Sequence, residues 1–283
     1  MLKRIITALV ALCVFIPVVI FSDTYLFPIG ISFGCVVSLY EMLKCIGVIK
    51  IWHLSVPLVF GCGCLPLVAR YFDNREKELL FVLLAVAVVC VMYIFAVSLF
   101  SKGNFSIERA GLTFMTAFYI SGGFTSIVLL RDFQDVGMYL FMLIFVGAWM
   151  TDIFAYFVGR FFGKHKLIPE ISPKKTIEGS IGGIVFCSLS FVLYGFILSY
   201  FTKISLISYI VLAIVGVIIS VVSQIGDLTM SQIKRQFGVK DYGKILPGHG
   251  GMLDRFDSIL AVSLVLIVAC AVVRHFGIDI ITV

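Results

Sequence analysis

Residues 231–258 read SQIKRQFGVKDYGKILPGHGGMLDRFDS. Asp241, Asp254 and Asp257 alternate there with Lys234, Arg235, Lys240, Lys244 and Arg255, around the run Pro247-Gly248-His249-Gly250-Gly251. Glycines let a backbone approach a ligand closely and turn N–H groups toward an anion. Carboxylates hold a hard cation, the cation bridges phosphate oxygens, and basic groups neutralise charge that develops on them. The combination suits magnesium-assisted phosphate chemistry, which a plain connecting loop would not require. Asp254, Asp257 and Ser258 share one face of a helix that begins after the glycines. His249 reads equally as a base or phosphate donor and as a turn residue.

A second loop, 159–183, reads GRFFGKHKLIPEISPKKTIEGSIGG. Ser172 before Pro173 has the form of a helix start, since serine caps and proline fits the first turn. Lys174 and Lys175 then stand beside free backbone N–H groups, which suits a phosphate chain; a charged anchor at the membrane surface is the other reading. Ser220, Ser223, Gln224 and Asp227 recur at i, i+3, i+4 and i+7 on one helical face. If that helix continues, Ser231, Lys234 and Arg235 extend the stripe. A carboxylate at mid-bilayer costs about 2.5–3.5 kcal/mol on insertion scales, so Asp227 should face protein, water or a metal. Asp152, with Tyr156 and Arg160 one and two turns on, is read as site residue and as helix-to-helix contact alike.

These residues need a membrane scaffold to hold them. The chain has 283 residues, is 61% hydrophobic and 13% charged, and has a mean hydropathy of +1.12. A water-soluble domain of this size cannot cover so much apolar side chain. The apolar residues run in stretches of about 20, the length of a helix crossing about 30 Å of hydrocarbon. The expected fold is all-α and polytopic, with about nine transmembrane helices near 5–22, 24–40, 51–69, 79–100, 110–130, 137–158, 180–201, 205–226 and 256–273. Residues 1–136 supply five scaffold spans. Residues 137–283 supply four spans and both polar loops, and form the catalytic region. Lys3 and Arg4 before an apolar run resemble a signal peptide, but the run reaches Phe21 without a clear cleavage site and reads as a retained helix.

Of the 22 Lys and Arg, sixteen fall on the side of the N-terminus and six on the other. Basic residues stay cytoplasmic on insertion, so the N-terminus and both polar loops are expected inside and the C-terminus outside. The net charge of +6 is thus a matter of loops, and no nucleic-acid partner is expected. The eight cysteines lie mostly inside apolar runs and read as small packing residues; Cys62-x-Cys64 lacks zinc-site spacing.

The pattern resembles the CDP-diacylglycerol synthase (phosphatidate cytidylyltransferase) family. Its C-terminal signature is matched by Ser231, Lys234, Arg235, Lys240, Asp241, Gly243, Leu246, Pro247, His249, Gly250, Gly251, Asp254, Arg255 and Asp257. Gly226-Asp227 and Ser172-Pro173-Lys174-Lys175-Thr176, followed by Glu178-Gly179, fit as well. Asp152 and Tyr156 fit a further pattern, from which Ile153 and Phe154 depart because small residues are usual there. The resemblance covers roughly 149–260. It implies that CTP and phosphatidic acid give CDP-diacylglycerol and pyrophosphate in the bilayer of a bacterial inner membrane. Magnesium, with potassium as an accompanying ion, and a homodimer are also implied. Asp227 and Asp254 are then the metal ligands. Lys174, Lys175, Lys234, Arg235 and Arg255 are phosphate contacts, and Asp241 and Asp257 complete the metal shell or orient basic groups. Ser172, Thr176, Ser231, Lys240, His249, Gly250 and Gly251 belong to the substrate site.

A transporter is the rival from another class, but it needs polar residues at both ends of a pathway, and here they gather on one side. A CTP-dependent lipid kinase or an ether-lipid cytidylyltransferase shares the phosphate-binding features; a kinase releases CDP and a cytidylyltransferase pyrophosphate. The reading requires segments 159–179 and 227–258 to meet at one ion-and-phosphate cluster.

Overall fold

A chain in hydrocarbon must satisfy its N–H and C=O groups internally, and the long apolar runs accordingly form helices. The structure, a computed structural model, describes residue 13 and residues 16–72, 75–133, 136–201, 204–245, 248, 250–277 and 280. In chain order the helices are α1 Leu26–Cys45, α2 Trp52–Gly63, α3 Leu65–Tyr71, α4 Glu76–Phe100, α5 Ile107–Arg131 and α6 Gly137–Phe162. A hairpin of β1 Lys166–Ile168 and β2 Ser172–Thr176 follows, then α7 Ile177–Leu198, α8 Leu206–Gln236 and α9 Leu253–His275. Among the described residues eight segments are long and apolar enough to cross a membrane, α2 and α3 together making the segment Trp52–Tyr71. They match eight of the nine expected spans. The span at 5–22 lies mostly outside the described residues.

Helix α8 runs on to Gln236, well beyond the expected edge at 226. Hydropathy marks where a chain leaves hydrocarbon, whereas the i to i+4 hydrogen bonds continue as long as nothing breaks them. Ser231, Lys234 and Arg235 therefore do continue the stripe that starts at Ser220.

The chain forms two compact units, Met1–Leu129 with Phe237–Phe256, and Leu130–Gln236 with Asp257–Val283. In the first, α1 packs on α2 and α3 through Phe27, Leu39, Met42, Leu43, Leu54 and Leu58, all buried. Phe124 of α5 meets Phe256 at a ring separation of 5.1 Å. In the second, α7 packs against α6 on one side and α8 on the other. Lipid tails offer helices no hydrophobic reason to associate, so close backbone packing over small residues must hold them. Gly183 faces the Thr151 carbonyl of α6, where a Cβ would stand at 3.1 Å, and Gly216 of α8 faces Cα of Ser188, where it would stand at 2.8 Å. Backbone cannot swing aside as a side chain can. Gly216→Val is expected to cost about 1–3 kcal/mol by overpacking. A lowered melting temperature in mild detergent checks this; an unchanged one would show slack at the crossing.

Candidate active site

The connection from α6 to α7 is built as a hairpin instead of the helix start expected at Ser172. The residue before a proline is pushed to extended backbone, so Ser172 enters a strand. Ser172 pairs with Ile168 and Thr176 with Lys166. The helix begins at Ile177, where Thr176 Oγ1 accepts the N–H of Gly179 at 3.1 Å. Threonine at this position satisfies one of the donors a helix start leaves open. The Glu178 carboxylate accepts the N–H groups of Lys164 and His165 at 3.1 and 3.2 Å and meets His165 Nδ1 at 2.6 Å, which ties the hairpin's entry to the first turn of α7.

The hairpin closes one side of a cavity of about 330 Å³. Asp152, Tyr156 and Arg160 of α6, Ser172, Lys174, Lys175 and Thr176 of β2, and Gln224 of α8 line it. Arg160 Nη1 donates to the Tyr156 hydroxyl at 2.7 Å. Lys175 Nζ stands 2.5 Å from Asp227 Oδ2, so the hairpin and α8 meet in an ion pair. The ammonium is enclosed and has no hydrogen-bond acceptor of good geometry among the described residues. An ammonium carries three donors. The pair with Asp227 engages one of them, and the residue lines the cavity.

The polar stripe of α8 resolves into separate contacts. Ser220 accepts from Thr151 Oγ1 at 3.0 Å, and Gln224 Nε2 donates to the Ser180 carbonyl at 3.3 Å; these two bind helices together. Asp227 faces Lys175 instead, and Ser231 Oγ lies 3.5 Å from Asp227 Oδ1. Lys234 is buried and Arg235 exposed, with Arg235 Nε 3.5 Å from the Ile171 carbonyl of the hairpin. Asp257, half-buried on α9, lies within electrostatic range of Asp152, Asp227 and Lys234.

Among the described residues no three His, Cys, Asp or Glu side chains converge as a closed metal cage. Magnesium does not ask for one. It keeps several waters and is held by one or two carboxylates together with substrate phosphates. Asp227, with Asp152 and Asp257 within electrostatic range of it, could supply one or two such oxygens.

The glycine loop of the first unit is arranged differently from the open anion nest expected of it. Gly250, at φ +88°, makes the turn. Asp254 Oδ2 accepts the N–H groups of Tyr242 and Gly251 at 2.8 and 2.9 Å. Glu41 of α1, only 1% exposed, accepts those of Met252 and Leu253 at 3.1 and 2.9 Å. Four N–H groups, those of Tyr242, Gly251, Met252 and Leu253, are thus directed at the protein's own carboxylates, and Gly251 serves close approach. Lys240, Asp241 and Arg255 are exposed. His249, with Leu246 and Pro247, lies outside the described residues. Glu41 was not singled out from sequence; an acid at the end of an apolar run was its one visible sign.

A sequence model of the Cytidylyltransferase family matches residues 2–273. The phosphatidate cytidylyltransferase of Staphylococcus haemolyticus is 35% identical over 265 residues, spanning 92% of this chain and 95% of that one. The phosphatidate cytidylyltransferases of Staphylococcus saprophyticus and Staphylococcus epidermidis are 36% and 34% identical, over the same shares of the two chains.

Proposed function

The chain belongs to the cytidylyltransferase family, and on that premise we propose that it joins CTP to phosphatidic acid, giving CDP-diacylglycerol and pyrophosphate for phospholipid synthesis. The observation that carries the reading is the enclosed Lys175 ammonium paired with Asp227 at the lined cavity. A phosphate oxygen of the lipid attacks the α-phosphorus of CTP. The bond from that phosphorus to the β-phosphate oxygen breaks, and pyrophosphate leaves with its electron pair. The attacking phosphate is already ionised, so no strong base is called for. Two anions must be aligned and their repulsion screened. Lys174, Lys175 and Arg160 supply the positive charge at the cavity, and Lys234 and Arg235 continue it along α8.

Mg²⁺, with K⁺ beside it, belongs to the same reading, held at Asp227 with Asp152 or Asp257 near by; when bound it screens the triphosphate oxygens. Asp254 is the acid of the first unit that turnover needs. The N-terminus and the site are cytoplasmic in this reading and the C-terminus is outside, because the basic residues are concentrated on one side. The protein sits in a bacterial inner membrane as a homodimer.

Purified protein incubated with phosphatidic acid, magnesium and each of the four labelled ribonucleoside triphosphates tests the proposal. Label from CTP should pass into lipid as CDP-diacylglycerol, with release of pyrophosphate. Release of CDP with a phosphorylated lipid would make it a kinase instead.

A further inference from the structure

Gly243 and Gly251 lie eight residues apart in the loop before α9, and neither has left-handed backbone. Their conformations admit alanine. What excludes a side chain is one group. A Cβ on Gly251 would stand 2.5 Å from both carboxylate oxygens of Glu41, and a Cβ on Gly243 would run into Oε1 of the same residue. Glu41 in turn accepts the Met252 and Leu253 N–H groups. Asp254 then fastens Gly251 to Tyr242 across the turn. The two carboxylates and two glycines therefore form one assembly, with Glu41 at its centre and Asp254 and Arg255 as the next residues along the chain.

We infer that Glu41 is a positioning residue for the transfer reaction: its carboxylate fixes the backbone at 251–253 and so sets where Asp254 and Arg255 stand. The inference rests on the function proposed above. A packing role alone would be met by any apolar side chain of similar size. Two acceptor oxygens facing two successive N–H groups in a buried place specify a carboxylate, because an amide would turn an NH₂ toward one of those donors.

Glu41→Gln is expected to lower kcat by on the order of 10²-fold, as a displacement of about 1 Å at a reacting centre does, while KM for CTP stays near the wild-type value. Hydrogen exchange at the Met252 and Leu253 amides should quicken while α6 to α8 exchange as before. Gly251→Ala should reproduce the kcat loss, and its effect should shrink in a Glu41→Ala background, where the obstructing carboxylate is gone. If Glu41→Gln does not fold, the Gly251→Ala pair reads the same contact from the loop side. Wild-type kcat in Glu41→Gln overturns the inference. So does a kcat loss that only follows the loss of folded protein, or a Gly251→Ala effect of equal size in both backgrounds. A wild-type protein that makes no CDP-diacylglycerol sinks the functional proposal instead, and the exchange measurement still reads the tether.

Discussion

Asp227→Asn is expected to lower CDP-diacylglycerol formation by roughly 10²–10³-fold, the size of losing one preorganised electrostatic partner of a reaction centre. The variant keeps the side chain's shape and removes its charge, so α8 and its contacts through Ser220 and Gln224 should persist. A pair that merely ties the hairpin to α8 is the competing account of Lys175 and Asp227. The accounts diverge in the double variant Lys175→Met with Asp227→Asn. Removing both charges relieves a structural pair, because an unpaired buried charge costs more than a missing pair. It cannot relieve two residues that each face substrate or metal. Turnover in the double variant should therefore be no better than in either single one. Recovery toward wild type would assign the pair to scaffolding.

The second large effect is expected at Asp254. Asp254→Asn should abolish turnover, with membrane insertion intact. Oδ2 of this residue receives the N–H groups of Tyr242 and Gly251, and asparagine retains one carbonyl oxygen that can take both. The loop should keep its course while the charge is lost. Near-normal turnover, assayed with labelled CTP in vesicles, would reduce Asp254 to a loop fastener. Loss of the protein from the membrane fraction would show that the charge itself is structural.

The spans were legible because hydrocarbon imposes one rule on every residue within it, and eight of the runs read from hydropathy are the helices found. Asp227 stood out for a related reason, since an acid in a span is costly unless it has a partner, and it does pair with Lys175. The hairpin was not. Its strands are short and charged and lack the alternation of a half-buried strand, and Ser172-Pro173 carries the same local signal as a helix start. Only pairing with Lys166–Ile168 decides between them, and pairing is not a property of either segment alone. The capping role of Thr176, named above only for the substrate site, was hidden for the same reason, since a cap is recognisable only once the helix start is known. Glu41 is the extreme case. Its partners lie 211 and 212 residues further on, and nothing in residues 26–45 indicates them.

That separation bears on how the molecule is made. The acceptor is translated 211 residues before the first of its donors. Until they arrive, the second hydrophobic segment carries an acid without its two amide partners, an expensive state in or near lipid. The tether thus closes a loop of 211 residues, and it can form only after the spans between its two ends have been made.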